Sequence, residues 1–175
     1  MKTILMDRDG TLVVDPPNGR IESIEQLQLF PDTIDALRLL AQNDFNIVIV
    51  SNQAGIAEGR ITVPQYEAIN QKLFEMLAPS GIQILKAYTC PHGEDSACEC
   101  RKPETKLGTR AAADFNIDLT QTYVVGDAQA DLDFAHNLGA GSILVRTGNT
   151  PVEGEGATLV ASNLYEAAQY LADHR

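Results

Sequence analysis

The sequence predicts a three-layer α/β fold, a parallel sheet flanked by helices on both faces. Two observations lead to it. Short apolar runs rich in β-branched residues alternate with segments of helical periodicity along the whole chain. Those runs are near-continuous rather than alternating in and out, as strands covered on both faces should be.

The elements follow in order. Thr3–Met6 forms the first strand, and Ile34, Leu37, Leu40 and Ala41 then repeat at helical spacing behind Asp32, a suitable N-cap. Ile47–Val50 is the second strand. Thr62 with Gln65 reads as a capping box opening a helix through Tyr66, Ile69, Leu73 and Leu77. Ile84–Tyr88 is the third strand, followed by Leu107, Ala111 and Phe115, with Pro103 suited to that helix's first turn. Thr122–Val125 is the fourth strand, and the helix through Leu132, Ala135 and Leu138 closes at Gly139. Ser142–Val145 is the fifth, and Asn163 caps a last helix through Leu164, Ala168 and Leu171. No repeat, low-complexity tract or linker interrupts the pattern, so residues 1–175 are expected to form one domain.

Composition excludes several partners. Thirteen basic residues against twenty-four acidic ones give a net charge of −11, which argues against nucleic acid and anionic membranes, since both attract basic surface. No apolar run approaches the ~20 residues that span a bilayer. Asp7 arrives too early for a signal peptide. A cytoplasmic protein is the expectation.

In open α/β sheets, ligands bind beyond the carboxyl ends of the strands. The residues leaving four of the five strands are Asp7-Arg8-Asp9-Gly10-Thr11, Ser51-Asn52-Gln53, Cys90-Pro91-His92 and Gly126-Asp127. Asp7 and Asp9 are two apart, so in extended backbone both face one side, about 6–7 Å apart. Two such carboxylates repel, and a hard divalent cation, Mg2+ above all, settles them, with Asp127 joining from the fourth strand exit. Taken alone, the pentapeptide could equally be a solvated turn.

All three cysteines fall in one window, Cys90-Pro91-His92 to Cys98-Glu99-Cys100. Each pair at i and i+2 presents both side chains to one side, and five intervening residues let the pairs meet. Three thiolates and an imidazole make a closed tetrahedral zinc site of the structural kind. A redox disulfide, or a buried histidine beside free thiols, is the alternative.

These motifs resemble those of the haloacid dehalogenase-like (HAD) phosphohydrolases. Asp7-Arg8-Asp9-Gly10-Thr11 is similar to the first motif, Ser51 to the second, Lys102 to the third, and Gly126-Asp127 with Asp131 to the fourth. The resemblance implies a Rossmann-like, HAD-like sheet and phosphoryl transfer in two steps. Asp7 would be the nucleophile and Asp9 the acid, then the base. Ser51 and Lys102 would hold the phosphoryl group, Lys102 beside the helix start marked by Pro103. Asp7, Asp127 and the carbonyl of Asp9 would hold Mg2+, with Asp131 acting through a metal-bound water or structurally on its helix.

Cys-Pro-His followed by Cys-x-Cys-Arg-Lys-Pro resembles the zinc-loop subgroup that contains the heptose-1,7-bisphosphate and histidinol-phosphate phosphatases, which lack a large cap domain. Neither Thr11–Phe30 nor Val50–Ile84 leaves room for a cap. The subgroup implies a small phosphorylated metabolite as partner and Asp15, Pro16, Pro17, Asn18, Asn52, Gln53 and Arg101 as substrate contacts; a monomer is the expectation. Ser51–Gly59 and Arg146–Asn149 match the heptose enzyme better, whereas Asp15-Pro16-Pro17 and Lys102–Leu107 lean toward the histidinol enzyme. Ala128 departs from the basic or polar residue usual after the fourth-motif aspartate. The heptose bisphosphate is the better match, with histidinol phosphate as the alternative in the same class and a non-catalytic, zinc-stabilised binding module as the alternative outside it. To admit a phosphate dianion at net charge −11, the cleft needs Mg2+, Lys102 and Arg101, with Arg8, Arg20 and Arg60 as further candidates, each expected to be a surface residue.

Overall fold

The computed structural model describes residues 2–174. Six parallel strands form one sheet in the order β3-β2-β1-β4-β5-β6. They are β1 (Lys2–Met6), β2 (Phe45–Asn52), β3 (Gln83–Cys90), β4 (Tyr123–Gly126), β5 (Gly141–Val145) and β6 (Leu159–Ala161). The helices are α1 (Thr33–Gln42), α2 (Val63–Leu77), α3 (Lys106–Phe115), α4 (Gln129–Leu138) and α5 (Leu164–Asp173).

Side chains alternate between two cores, which is what makes three layers. Ile4, Met6, Ile47, Ile49 and Val125 point to one face, where they meet Leu37 and Leu40 of α1, Ile69 and Leu73 of α2, and Leu171 of α5. Leu5, Val48, Val50 and Val124 point to the other, against Leu107 and Ala111 of α3 and Phe134 and Ala135 of α4. With both faces covered, strand residues can be apolar at every position, and the pattern read from the sequence is explained. Turns, bends and a 3-10 turn (Ile24–Gln26) fill the stretches from β1 to α1 and from β2 to α2, so no large cap stands there among the described residues.

Three helix signals hold. Thr62 accepts a hydrogen bond from Gln65 N, Asn163 accepts from Glu166 N at 2.9 Å, and Gly139 adopts φ +70° at the end of α4. Two do not. Asp32 makes no side-chain bond to its own helix; its carboxylate accepts instead from Tyr165 N, tying α1 to the start of α5. Pro103 lies outside α3, which begins at Lys106, and the Lys102-Pro103 peptide is cis. β6 was not expected; three residues carry too short a pattern to register.

The chain leaves β1 on one side of the sheet for β2 and β3, and returns on the other through β4, β5 and β6. β1 and β4 therefore flank the switch point, where a crevice opens beyond the strand ends. Asp7 N donates to Val125 O at 2.9 Å, closing the sheet immediately below that crevice.

Candidate active site

Four strand exits converge on the crevice. Lys102, 5% exposed, is the hub: its Nζ donates to Asp7 Oδ1 at 2.8 Å, Asp131 Oδ1 at 2.6 Å and Val50 O at 2.7 Å. Burial opposes its charge, but Asp131 and Asp7 outweigh it and hold the ammonium well above its usual range. Lys102 reaches the site from a loop, not from a helix N-terminus as expected. The Asn52 side chain fixes that loop, accepting from Lys102 N at 2.9 Å and donating to Lys102 O at 3.1 Å.

One oxygen each of Asp7, Asp127 and Asp131 lies within 4.8 Å of the others. Burial, with Asp7 and Asp131 adding repulsion, drives Asp127 up to about 9. Burial also lifts Asp7 to about 7 against the pull of Lys102. Among the described residues, the side-chain donor to Asp127 is Thr11, whose Oγ1 lies 3.1 Å from Asp127 Oδ1. A carboxylate cluster this crowded, with one lysine for two of its members, fits a divalent cation.

The backbone makes room for that cluster. A Cβ on Gly10 would fall 2.4 Å from Asp127 Oδ2, and one on Gly148 2.0 Å from the same atom. Gly126 is hemmed in likewise, by Asp131. Gly10 also needs its φ of +80° for the turn from Arg8 to Val13, and Thr147 Oγ1 donates to its carbonyl at 2.6 Å. No spacing in the sequence marks Thr11, Thr147 or Gly148 as site residues, because their partners lie 116 to 137 residues away or, for Gly148, across the fold at Asp127. Asp131 also accepts from Ala128 N at 3.1 Å, capping α4 while it pairs with Lys102.

Asp9 sits apart from this group. The strand stops at Met6 and the chain turns at Arg8, so Asp7 and Asp9 are not neighbours along one extended face. Arg8, expected at the surface, is fully buried, and its guanidinium grips both oxygens of Asp9 at 2.7 and 3.0 Å. Gln53 Nε2 donates to Asp9 Oδ2 at 2.9 Å and Ser51 Oγ at 2.7 Å. Burial alone would raise Asp9, but Arg8 and Gln53 hold it below the usual carboxylate range.

Beside Asp9 opens a cleft of about 270 Å³, to which Asn18, Asn52, Gln53 and Arg101 contribute. Nη1 of Arg101 is buried without a partner among the described residues, while Nη2 lies 3.5 Å from Glu94. Arg20 and Arg60 are spent in ion pairs, with Glu58 and Glu22. Asp15, pushed up to about 6 by burial and by Asp9, and Pro16, whose carbonyl accepts from Asn149 Nδ2, lie in the loop that leads to the cleft; Pro17 is exposed.

Cys90, His92, Cys98 and Cys100 form the second cluster. The Sγ–Sγ separations are 3.6, 3.0 and 3.8 Å, and His92 Nδ1 lies 3.5 Å from Cys90 and 3.2 Å from Cys100. A tetrahedral ion with Zn–S near 2.3 Å requires edges of about 3.8 Å between sulfurs and about 3.5 Å to nitrogen. Cys90–Cys98, Cys98–Cys100 and Cys90–His92 come within about 0.2 Å of those edges, Cys90–Cys100 and His92–Cys100 are shorter, and no sulfur pair is near the ~2.05 Å of a disulfide. Backbone N–H groups of Cys100 and Arg101, overcoming desolvation, draw Cys98 down to about 6, while burial pushes Cys90 up to about 12. The loop is strapped to the site: Gln53 N donates to Cys90 O and Ala57 N to Pro91 O.

A parallel sheet with this acidic, lysine-centred cluster at its switch point defines a phosphohydrolase of the HAD-like class. Residues 99–167 match the HAD-hydrolase-like family model. A D-glycero-beta-D-manno-heptose-1,7-bisphosphate 7-phosphatase of Yersinia pestis is 38% identical over 162 residues, 87% of this chain and 84% of the relative. Its Escherichia coli K12 counterpart is 34% identical over 95% of this chain and 91% of its own length. A D,D-heptose 1,7-bisphosphate phosphatase from B. bronchiseptica, solved with magnesium and phosphate, superposes with a TM-score of 0.89 at 30% identity, each chain fully covered. The chain belongs to this family of HAD-like phosphatases, and it is a phosphoric monoester hydrolase. Among the described residues, no helix is long and apolar enough to cross a membrane.

Proposed function

We propose that the enzyme removes the 7-phosphate of D-glycero-D-manno-heptose-1,7-bisphosphate, with Asp7 as nucleophile. The observation that carries the reading is Lys102 Nζ, held 2.8 Å from Asp7 and 2.6 Å from Asp131 at the mouth of the sheet. The substrate follows from relatives that bear this activity in their names and align along most of the chain.

The chain's own groups divide the work. Asp7 attacks phosphorus, so a carboxylate–phosphorus bond forms as the sugar oxygen departs. Arg8 and Gln53 keep Asp9 ionised in the free protein, so the proton it gives that oxygen must be taken up with the substrate; Asp9 then takes one from the water that cleaves the aspartyl-phosphate and frees inorganic phosphate. Ser51 Oγ and Lys102 Nζ hold phosphoryl oxygens. Asp7, Asp127 and Asp131 would hold Mg2+, which when bound supplies the positive charge a phosphoryl dianion needs. Zinc on Cys90, His92, Cys98 and Cys100 would lock the loop that presents Arg101 and Lys102. The unpartnered Nη1 of Arg101 is a donor for the phosphate that stays on the sugar.

The test is a side-by-side comparison of kcat/KM on the heptose bisphosphate and on histidinol phosphate. Preference for the bisphosphate, with heptose 1-phosphate as product, is expected. Preference for histidinol phosphate overturns the substrate, and full activity of Asp7→Asn overturns the chemistry.

A further inference from the structure

Among the fully buried side chains one is an arginine, and the reaction just described gives it no task. Arg8 is 0% exposed and lies between the two proposed catalytic carboxylates in sequence. Its Nε and Nη2 fork onto Asp9, and its Nη1 donates to Asn70 Oδ1 at 2.9 Å. Its guanidinium carbon stands 5.1 Å from the ring centre of Tyr66, whose hydroxyl is hydrogen-bonded to Thr89 of β3. Tyr66 and Asn70 are four apart on α2, so both project from one face of that helix.

We propose that Arg8 is a positioning residue: anchored by Asn70 and Tyr66 of α2, it aims the Asp9 carboxylate at the leaving oxygen of the substrate. The inference rests on the acid–base role of Asp9 given above. Burying a guanidinium is costly unless its donors are satisfied, and here they are spent on one carboxylate and one anchoring amide. A planar fork gripping both oxygens fixes the plane of the carboxylate as well as its distance, which a point charge cannot do. Gln53 supplies the direction. Its Nε2 is shared by Asp9 Oδ2 and Ser51 Oγ, so the carboxylate is turned toward the place where the phosphoryl group is to be held. The orientation of Asp9 is thereby set by a helix and by the residue that follows β2 rather than by its own turn.

The test exploits leaving-group chemistry. A sugar alkoxide needs a proton to depart, whereas a nitrophenolate does not, and kcat/KM ends at that departure, so the later water step does not blur it. Arg8→Lys keeps the charge and loses the fork. Its kcat/KM on the heptose bisphosphate should fall by roughly 30-fold or more, within the range of general acid catalysis, and on p-nitrophenyl phosphate by no more than about 3-fold. Asn70→Leu, which removes the anchor without touching the charge, should show the same asymmetry at smaller size. Asp9→Asn is run beside them and should show it at full size. Equal losses on both substrates in Arg8→Lys and Asn70→Leu, with the asymmetry intact in Asp9→Asn, would make Arg8 a structural ion pair and overturn the proposal. If Asp9→Asn itself shows no asymmetry, the acid role fails and the proposal with it. Should Arg8→Lys not fold, Asn70→Leu decides alone, by the same criterion.

Discussion

Gly148→Ala is the most economical test of where the magnesium site lies. The added Cβ would fall 2.0 Å from Asp127 Oδ2 and 2.7 Å from its Cγ. Relaxed carbon contacts begin near 3.5 Å, so the carboxylate must retreat by roughly 1.5 Å. The φ of Gly148 lies outside the left-handed region, and alanine adds no backbone strain there. The new Cβ also comes 2.9 Å from Asp127 Cβ, so the whole Asp127 side chain shifts, a cost of about 1 kcal/mol or more. Magnesium tolerates far less, because its ligands stand at about 2.0–2.1 Å and misplacement beyond about 0.2 Å spoils the octahedron. Metal affinity should therefore suffer more than the fold. Half-saturating Mg2+, read from initial rates of phosphate release, should rise on the order of 10–100-fold. Excess magnesium should restore most of kcat, and Tm in EDTA should move by only a few degrees. Gly93→Ala, whose Cβ meets nothing within 4 Å, is the control. A wild-type magnesium dependence in Gly148→Ala would show that Asp127 holds no metal.

Three more outcomes are expected. The raised carboxyls of Asp7 (about 7) and Asp127 (about 9) hold protons that the unfolded chain loses near 4. The contribution of these two groups to the stability of the metal-free protein is therefore fullest below that value and lost as pH rises through 7 and 9, while Mg2+ binding strengthens over the same window; a Tm in EDTA that is flat between about pH 5 and 9 sinks the argument. Cys98→Ser should carry no zinc by elemental analysis and lose roughly 2 kcal/mol or more of unfolding free energy in urea, the loss of a metal being among the large single-site effects; zinc-free protein with unchanged stability and activity contradicts a structural metal. Arg101→Ala should raise KM for the bisphosphate about 10-fold or more with little change in kcat, since a donor to the spectator phosphate binds ground and transition states alike; a fall in kcat alone would place Arg101 at the reacting group instead.

What the sequence disclosed was whatever repeats locally. Runs such as Ile47–Val50 disclosed strand cores because both faces are buried, but not strand ends, since β2 runs on through Ser51 and Asn52 and β3 through Thr89 and Cys90. Those polar ends belong to the site, where function overrides apolar patterning. Thr62 and Gln65 could be read because a capping box is closed within four residues. Asp32 could not, because the N–H it accepts from lies on α5, 133 residues away. Arg8 was misjudged for the same reason: one anchor, Asn70, stands 62 positions along the chain, and no local spacing announces it. Cys90, His92, Cys98 and Cys100, by contrast, sit within eleven residues, so their clustering could be read from spacing alone, and Asp7 and Asp127 each stand just past the end of a recognisable strand.

Charge explains why the site needs a cation of valence two. The three arginines once available to make the cleft positive are each matched by a carboxylate: Arg8 by Asp9, Arg20 by Glu58, Arg60 by Glu22. That leaves Lys102, shared by Asp7 and Asp131, and at the rim Arg101, whose Nη2 lies 3.5 Å from Glu94 and whose Nη1 has no partner among the described residues. In the interior, Asp7, Asp9, Asp127 and Asp131 face Arg8 and Lys102, so full ionisation of these six groups leaves two negative charges in a chain already at −11, and Asp15 beside them adds further repulsion. A phosphate dianion would be repelled from such a place. One divalent ion brings those six groups to neutrality, and the unpartnered Nη1 of Arg101 then offers a donor at the entrance. A monovalent ion of the same size would leave the cluster negative, so sodium or potassium should not replace magnesium at any concentration that leaves the protein folded.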